Sequence, residues 1–237
     1  MIFDSEIYYL LAFLSSLFAS FILMPFIIYI SKKYQLGAQS DLRSSHNGLI
    51  PNLGGIPIAL SIILSITLYG ELDVIRYMAL AFMLTFFLGI LDDLSEISPY
   101  KKLFSQIFVS LLLIIYADLR IESFHGVLGL YELPYIPSIL FSVFVFIVIT
   151  NGYNLIDGID GLATGLGIIS SLVFGTCAIL MDQYNMAILS FSLAGALIGF
   201  LKYNYQPAKI FMGDTGSLLI GLVFSILAVN VIKYGII

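Results

Sequence analysis

The segment NGYNLIDGIDGLATG, residues 151–165, holds two asparagines, two aspartates and four glycines, and it joins two long apolar stretches of the chain. Those stretches, about 136–150 and 161–181, approach the roughly 20 residues that a helix needs to cross a bilayer. The polar cluster therefore lies at the ends of two predicted membrane spans. Such groups are costly beside a bilayer core unless they pair with one another or bind a ligand.

The composition of the whole chain indicates an integral membrane protein. Of its 237 residues, 60% are hydrophobic and 11% are charged, and the mean hydropathy is +1.04. Ordinary soluble domains have roughly 45–50% apolar and about 25% charged residues. A single cysteine, Cys177, excludes an intrachain disulfide and a cysteine metal cluster. Nothing in the sequence points to nucleic acid as a partner.

Eight apolar stretches predict an all-α, polytopic transmembrane helical bundle that forms one domain over residues 1–237. The first stretch is longer than the core of a signal peptide and has no basic residue before it, so we interpret it as a retained span. Residues 117–137 have the alternation and the Gly/Pro punctuation of a small extracytoplasmic hairpin. The predicted spans are about 7–30, 53–70, 74–91, 101–118, 136–150, 161–181, 185–201 and 215–235.

The basic residues of the loops predict the orientation of the bundle. Cytoplasmic loops of membrane proteins are enriched in Lys and Arg, and the bias favours a chain whose N-terminus lies outside. The four most polar segments then fall together on the cytoplasmic face. The inner loops would hold Lys32, Lys33, Arg43, Lys101, Lys102, Lys202 and Lys209, and the outer ones Arg76, Arg120 and Lys233.

An adjacent acidic pair, Asp92 and Asp93, ends the third predicted span. Two neighbouring anions at a low-dielectric boundary repel each other unless a cation or a shared proton compensates. The pair therefore indicates a divalent metal site or a catalytic proton. The alternative is a solvated helix end with Glu96 nearby.

Four polar residues of the opening segment recur every three positions: Asn151, Asn154, Asp157 and Asp160. A helical or turn-like backbone would place them roughly on one side, and the intervening glycines permit a ligand to approach closely. The alternative is a polar loop in which Asp157 or Asp160 caps the next helix. Capping accounts for one aspartate but not for the whole set.

A third acidic segment, GDTGS at residues 213–217, places Asp214 just before the last span. A helix N-terminus offers unsatisfied N–H groups that suit phosphate, although Asp214 as a simple N-cap is the alternative. Carboxylate and carboxamide oxygens together suit magnesium bound with phosphate oxygens. The lysines of the same face add positive charge, so the sequence predicts a site for a diphosphate.

Three of these segments resemble, in order, the signature segments of the polyprenyl-phosphate N-acetylhexosamine-1-phosphate transferases. The segments are LDD (91–93), NGYNLIDGIDGLATG (151–165) and IFMGDTGS (210–217). RSSHNGLIPNLGGI (43–56) resembles the first cytoplasmic loop of the family. The resemblance implies transfer of a sugar 1-phosphate from a UDP-sugar to a polyprenyl phosphate such as undecaprenyl phosphate. It also implies release of UMP, dependence on magnesium or manganese, and a role as the first membrane step of cell-envelope glycan synthesis.

The resemblance also assigns roles to individual residues. It implies that Asp92, Asp93 and Asp214 are catalytic, and that Asn154 and Asp214 hold the metal. The remaining candidates would bind substrate, and among them Asn204 matches a polar residue ten positions before Asp214. His46 is the only histidine on the predicted active face, because His125 falls on the opposite one. The substrate-binding candidates are His46, Lys101, Lys102, Asn151, Asp157, Asp160 and Asn204.

Several expectations accompany this reading. The site would face the cytoplasm from a multi-pass chain in the plasma (inner) membrane, and a homodimer is possible. Members of the family usually have more spans and a histidine-rich loop after the eighth or ninth, so we expect the 237-residue chain alone to turn over slowly. Alternatives are the phospho-MurNAc-pentapeptide transferase reaction, or a transporter with an acidic cytoplasmic face. CDP-alcohol phosphotransferases are disfavoured because DGLATG lacks the arginine expected after DG-x-x-A.

Overall fold

The structure is a computed structural model that describes residues 2–36, 50–129 and 131–235. Within these ranges the regular structure consists of eight α-helices and one short 3₁₀ helix, Val127–Gly129. The α-helices are α1 (Ile2–Lys33), α2 (Gly55–Tyr69), α3 (Leu72–Leu94), α4 (Pro99–Tyr116), α5 (Tyr135–Ile156), α6 (Leu162–Leu180), α7 (Tyr184–Asn204) and α8 (Gly213–Tyr234).

Each α-helix overlaps one predicted span, which confirms the all-α bundle. Six helices in the described part of the chain are long and apolar enough to cross a membrane. Helix α2 has only 15 residues, and α4 begins with two lysines in its first turns. The largest difference from the prediction is at the end of α5, which continues to Ile156 rather than stopping near residue 150. The first polar residues of the 151–165 segment are therefore helical.

Helix α8 lies at the centre of the bundle. In the most apolar stretch of α8, 83% of the residues are buried. The corresponding share is 72% in α7 and between 22% and 33% in the other four long spans. A helix that is apolar on every side belongs in the interior of a bundle, and α8 packs against α2, α3, α5, α6 and α7. The N-terminus of α8 is consequently surrounded by the ends of other helices.

Close packing of α3 against α8 depends on a glycine. A Cβ built on Gly89 would lie 2.7 Å from the backbone nitrogen of Thr215 and 2.9 Å from the carbonyl oxygen of Asp214. Backbone atoms cannot rotate away as a side chain can, so residue 89 has to lack a side chain. Because Asp93 lies about one helical turn beyond Gly89, this contact brings Asp93 to the start of α8.

We expect Gly89→Ala to destabilise the protein by roughly 1–3 kcal/mol, because the added methyl forces α3 and α8 apart. Gly165→Ala on α6 is the matched control, since a Cβ there meets nothing within 4 Å. Alanine also favours the helix at such an open position. Thermal unfolding of the two variants in detergent measures the difference. Equal stability of both variants would show that the α3–α8 contact can relax.

The connection between α4 and α5 contains the small hairpin that the sequence predicts. Ser123 and Glu132 form an antiparallel bridge. The Phe124 N–H donates to the Tyr131 carbonyl at 2.8 Å, and the Leu133 N–H donates to the Glu122 carbonyl at 2.8 Å. Among the described residues of the hairpin the pairing extends no further, so it forms a short ribbon at the end of the bundle away from the N-terminus of α8.

Candidate active site

A cleft of about 520 Å³ lies where α3 and α5 end and α8 begins. Its volume is in the range of small-ligand sites. The structure brings together residues from all three acidic segments of the sequence. The lining residues are Asn52, Asp92, Asp93, Leu94, Ser95, Glu96, Asn154, Asp157, Phe211, Gly213 and Asp214.

Asp93 holds the first turn of α8. Its carboxylate accepts hydrogen bonds from the backbone N–H of Asp214 at 2.8 Å, the backbone N–H of Thr215 at 2.9 Å and the Thr215 hydroxyl at 2.5 Å. The side-chain amide of Asn52 donates a further bond at 3.3 Å. The negative charge of Asp93 is thus placed against the positive end of a helix dipole. Asp93 is not the solvated helix end that the alternative interpretation describes.

Asp157 lies near the start of the same helix, where the N–H of Gly213 favours its charged form. Burial, together with the negative charges of Asp214 and Asp93, raises the pKa of Asp157 to about 6. The backbone amides of Asp214 and Thr215 are already bonded to the Asp93 carboxylate. The expectation that they are free for a phosphate is not supported, and Asp157 does not cap α6, which begins after Gly161 without a side-chain cap.

Lys102 joins the two remaining acids of the cleft. Its ammonium contacts the Asp92 carboxylate and lies 2.8 Å from Oδ2 of Asp214. Asp92 also accepts the Ile97 N–H at 2.7 Å, and its side chain is only 6% exposed. One cation from α4 thus links the end of α3 to the start of α8. These ion pairs reduce the repulsion between the Asp92 and Asp214 carboxylates.

Asn154 is fixed against Asp214. Its amide nitrogen donates to Oδ1 of Asp214 and to Oγ of Ser217, both at 2.6 Å. Asn154 lines the cleft, and its amide oxygen accepts no hydrogen bond from the described residues. An amide oxygen and a carboxylate are hard donors, which is the chemistry that magnesium prefers. Among the described residues no group of three or more His, Cys, Asp or Glu converges on a single metal position.

Other candidates of the 151–165 segment and its neighbours make structural contacts. Asn151 exchanges amide hydrogen bonds with Gln106 of α4, at 2.7 and 3.2 Å. Asp160 accepts the Ala208 N–H at 3.0 Å. Asn204 is 3% exposed and bonds the Gly161 N–H. Their roles toward a substrate stay predictions.

Helix α5 ends at Ile156, so only Asn151 and Asn154 of the four polar residues are helical. Three residues advance a helix by about 300°, so the side chains of Asn151 and Asn154 differ in direction by about 60°. Asn154 and Asp157 border the cleft, whereas Asn151 faces α4 and Asp160 faces the segment before α8. The prediction that all four point to one side is wrong in this respect.

The remaining histidine and lysine candidates do not line the cleft in the described structure. Lys101 is exposed beside the cleft, and His46 lies outside the described residues. At the opposite end of the bundle, His125 bonds the Ile232 carbonyl at 2.8 Å, which agrees with its exclusion from the site. Sequence reasoning missed Asn52, Thr215 and Ser217. Thr215 and Ser217 belong to the GDTGS segment, and their closeness to Asp214 in the sequence is a signal that could have identified them.

Residues 75–232 match the model of the family described as glycosyl transferase family 4. The chain belongs to glycosyl transferase family 4. The matched region contains the acidic residues of the cleft together with Lys102 and Asn154.

Curated relatives extend the family assignment. A protein of Bacillus subtilis strain 168 named "probable undecaprenyl-phosphate N-acetylglucosaminyl 1-phosphate transferase" is 34% identical over 222 residues, covering 92% of this chain and 61% of that protein. The phospho-N-acetylmuramoyl-pentapeptide-transferase of Clostridium botulinum strain Alaska E43 is 35% identical, covering 78% of this chain and 60% of that protein. The enzyme of the same name from Caldicellulosiruptor bescii is 32% identical, and the match covers 92% of this chain and 72% of that enzyme. The chain thus spans about 60% of the length of the first two relatives.

Proposed function

We propose that the chain transfers a sugar 1-phosphate from a UDP-sugar to a polyprenyl phosphate and releases UMP. The observation that carries this proposal is the cluster of Asp92, Lys102 and Asp214 beside Asn154, at the mouth of a membrane helical bundle. Family membership and the names of the relatives support it. A membrane fold suits the reaction because the acceptor keeps its hydrocarbon tail in lipid.

The reaction joins two anions, so charge neutralisation and positioning are its main requirements. An oxygen of the lipid phosphate attacks the β-phosphorus of the UDP-sugar, and the bond from that phosphorus to UMP breaks. The Lys102 ammonium would reduce the repulsion between the two phosphates. Because the oxygens of Asp93 are bonded to the start of α8, we assign to Asp92 the role of orienting the lipid phosphate or accepting its proton.

The donor set fits a magnesium ion held by Asp214 and Asn154. Magnesium usually binds one or two carboxylates together with substrate phosphates and water, so three converging acids are not required. The amide oxygen of Asn154 and the Asp214 carboxylate would supply the two protein ligands, and the contact between the two side chains keeps them side by side. When bound, the ion would supply positive charge where negative charge develops on the leaving UMP. Manganese fits the same oxygen ligands.

For the substrate we propose a sugar of the N-acetylhexosamine type. The names of the relatives include both an N-acetylglucosaminyl and an N-acetylmuramoyl-pentapeptide transferase. Incubation of the purified protein with undecaprenyl phosphate, magnesium and each UDP-sugar in turn tests the proposal by UMP release. The same assay on a version extended with the C-terminal part of the Bacillus relative tests whether the 237 residues suffice. Absence of UMP release from both versions with every sugar would refute the proposed reaction.

We further propose that the cleft faces the cytoplasm of a plasma-membrane protein whose N-terminus lies outside. The basic residues of the described loops support this orientation, since Lys and Arg are enriched in cytoplasmic loops. At the cleft end lie Lys32, Lys33, Lys101, Lys102, Lys202 and Lys209, and at the other end lie Arg76, Arg120 and Lys233.

Cysteine labelling tests this orientation. In a Cys177→Ala background, we expect Ser95→Cys and Lys209→Cys to be protected from a membrane-impermeant reagent in intact cells. Both positions are exposed at the cleft end. Glu132→Cys on the hairpin should react from outside. Labelling of Ser95→Cys with protection of Glu132→Cys would reverse the orientation.

A further inference from the structure

A second cavity, the distal cavity, lies at the end of the bundle opposite the candidate active site. Its volume is about 530 Å³. Its walls come from the α2–α3 and α6–α7 connections and from the last turns of α4 and α8. No residue of the distal cavity borders the catalytic cleft, so what it binds is independent of the proposed function.

Acidic side chains dominate the charges of the distal cavity. Asp118 is neutralised, because Lys233 lies 2.6 Å and Arg120 3.6 Å from its carboxylate oxygens. Glu71 and Asp182 also border the cavity and have no cationic partner among the described residues. Glu71 is held by the Asn185 side chain, whose oxygen accepts the Glu71 N–H at 2.9 Å and whose nitrogen donates to Oε2 at 3.3 Å. Two uncompensated carboxylates therefore face one cavity.

A buried amide in the wall of this cavity points independently to a ligand. Asn230 of α8 is only 3% exposed, and its side chain makes no hydrogen bond to the described residues. Leaving a buried polar group unpaired costs about 1–3 kcal/mol, and such groups normally have a partner. Three other buried side-chain atoms of the described residues also lack a partner, but none belongs to a residue that lines this cavity: Ser20 Oγ, Ser31 Oγ and Asn52 Oδ1.

The aromatic residues of the distal cavity favour a particular kind of cation. The rings of Tyr77 and Tyr116 stack with centroids 6.0 Å apart, and Tyr184 is fixed by a hydrogen bond from its hydroxyl to the Tyr69 carbonyl at 2.9 Å. Tyrosine faces attract organic cations, and the Arg76 guanidinium already lies over the Tyr77 ring, 4.8 Å from its centroid. Tyr116 and Tyr184 are therefore the rings that a ligand would contact. The carboxylates do not converge as metal ligands within the described structure. The cavity thus combines separated acids, aromatic rings and an amide, which suits an extended amine better than a metal ion.

We propose that the distal cavity binds a ligand that carries an ammonium group. Glu71 and Asp182 supply the opposite charge, the tyrosine rings contact the cation, and the Asn230 amide gains a hydrogen-bond partner. The ammonium group belongs either to a soluble polyamine or to an amine-bearing lipid headgroup, since both present the same chemistry to the cavity.

Binding to purified protein in maltoside micelles, which contain no amine, tests the proposal. Spermidine is titrated calorimetrically in one arm, and phosphatidylethanolamine is compared with phosphatidylglycerol by thermal unfolding in the other, because a ligand of the folded state raises the unfolding midpoint. We expect saturable binding that weakens at least about tenfold in Glu71→Gln/Asp182→Asn. Binding of spermidine alone identifies a soluble amine, and stabilisation by phosphatidylethanolamine alone identifies a lipid headgroup.

The control variant is Glu6→Gln/Glu132→Gln, which removes the same charge from exposed carboxylates outside the cavity. It should bind as the unmodified protein does. Asn230→Leu, which removes an amide that makes no hydrogen bond, should remain folded and bind more weakly. Absence of saturable binding in both arms would overturn the proposal, and so would equal weakening in the cavity variant and the control.

Discussion

Asp214→Asn is expected to lower turnover by roughly 10³-fold or more, because it removes the charge at the centre of the cleft where we propose that the reaction occurs. Asparagine keeps the size of the side chain and one acceptor oxygen. It cannot neutralise Lys102, which lies 2.8 Å from Asp214, and its neutral oxygen binds magnesium less strongly than a carboxylate does. The measurement is UMP release from a UDP-sugar in the presence of undecaprenyl phosphate and magnesium.

The variant should remain folded, because the replacement relieves the repulsion between Asp214 and Asp92 while it weakens the ion pair with Lys102. Thermal unfolding of the variant therefore shows whether turnover is lost because the chemistry is impaired or because the protein unfolds. Glu6→Gln, which removes an exposed carboxylate from α1, is the control and should turn over normally. Wild-type turnover of Asp214→Asn, or full activity of the unmodified protein in excess chelator, would contradict the role that we give to Asp214.

The fold was largely predictable because hydropathy reports membrane spans directly. In a bilayer the backbone must satisfy its own hydrogen bonds, so each long apolar stretch becomes a helix. The end of α5 was less predictable. Asn151 and Asn154 continue the helix because their side chains form hydrogen bonds with Gln106, Asp214 and Ser217. These partners are distant in the sequence, so the local composition does not indicate them.

The acidic residues of the site were predictable as a set but not in their individual contacts. Their position at span ends of one face was enough to bring Asp92, Asn154, Asp157 and Asp214 to one cleft. Whether a carboxylate meets a substrate or a helix end depends on packing at the level of single side chains. The close approach at Gly89 decides this for Asp93, and spacing in the sequence gives no sign of it.

The role of Asp93 leads to the second large expected effect. Its carboxylate accepts two backbone amides and one hydroxyl at the start of α8, the most buried helix of the bundle. Asp93→Ala leaves these donors without an acceptor, and we expect the free energy of unfolding to fall by roughly 2–4 kcal/mol. Turnover should fall as well, because Asp214 loses the contact that fixes its backbone. Asp93→Asn should be intermediate, since one oxygen can still accept.

Thermal unfolding and UMP release, measured on the same preparations, distinguish this anchoring role from a chemical one. Glu96→Gln is the control for stability, because Glu96 is an exposed carboxylate that borders the same cleft. If Asp93 anchors α8, its variants lose stability and turnover together, and Asp93→Asn retains part of both. If Asp93→Ala instead unfolds at the wild-type temperature but releases no UMP, Asp93 acts on the substrate. The division of roles between Asp92 and Asp93 would then have to be reversed.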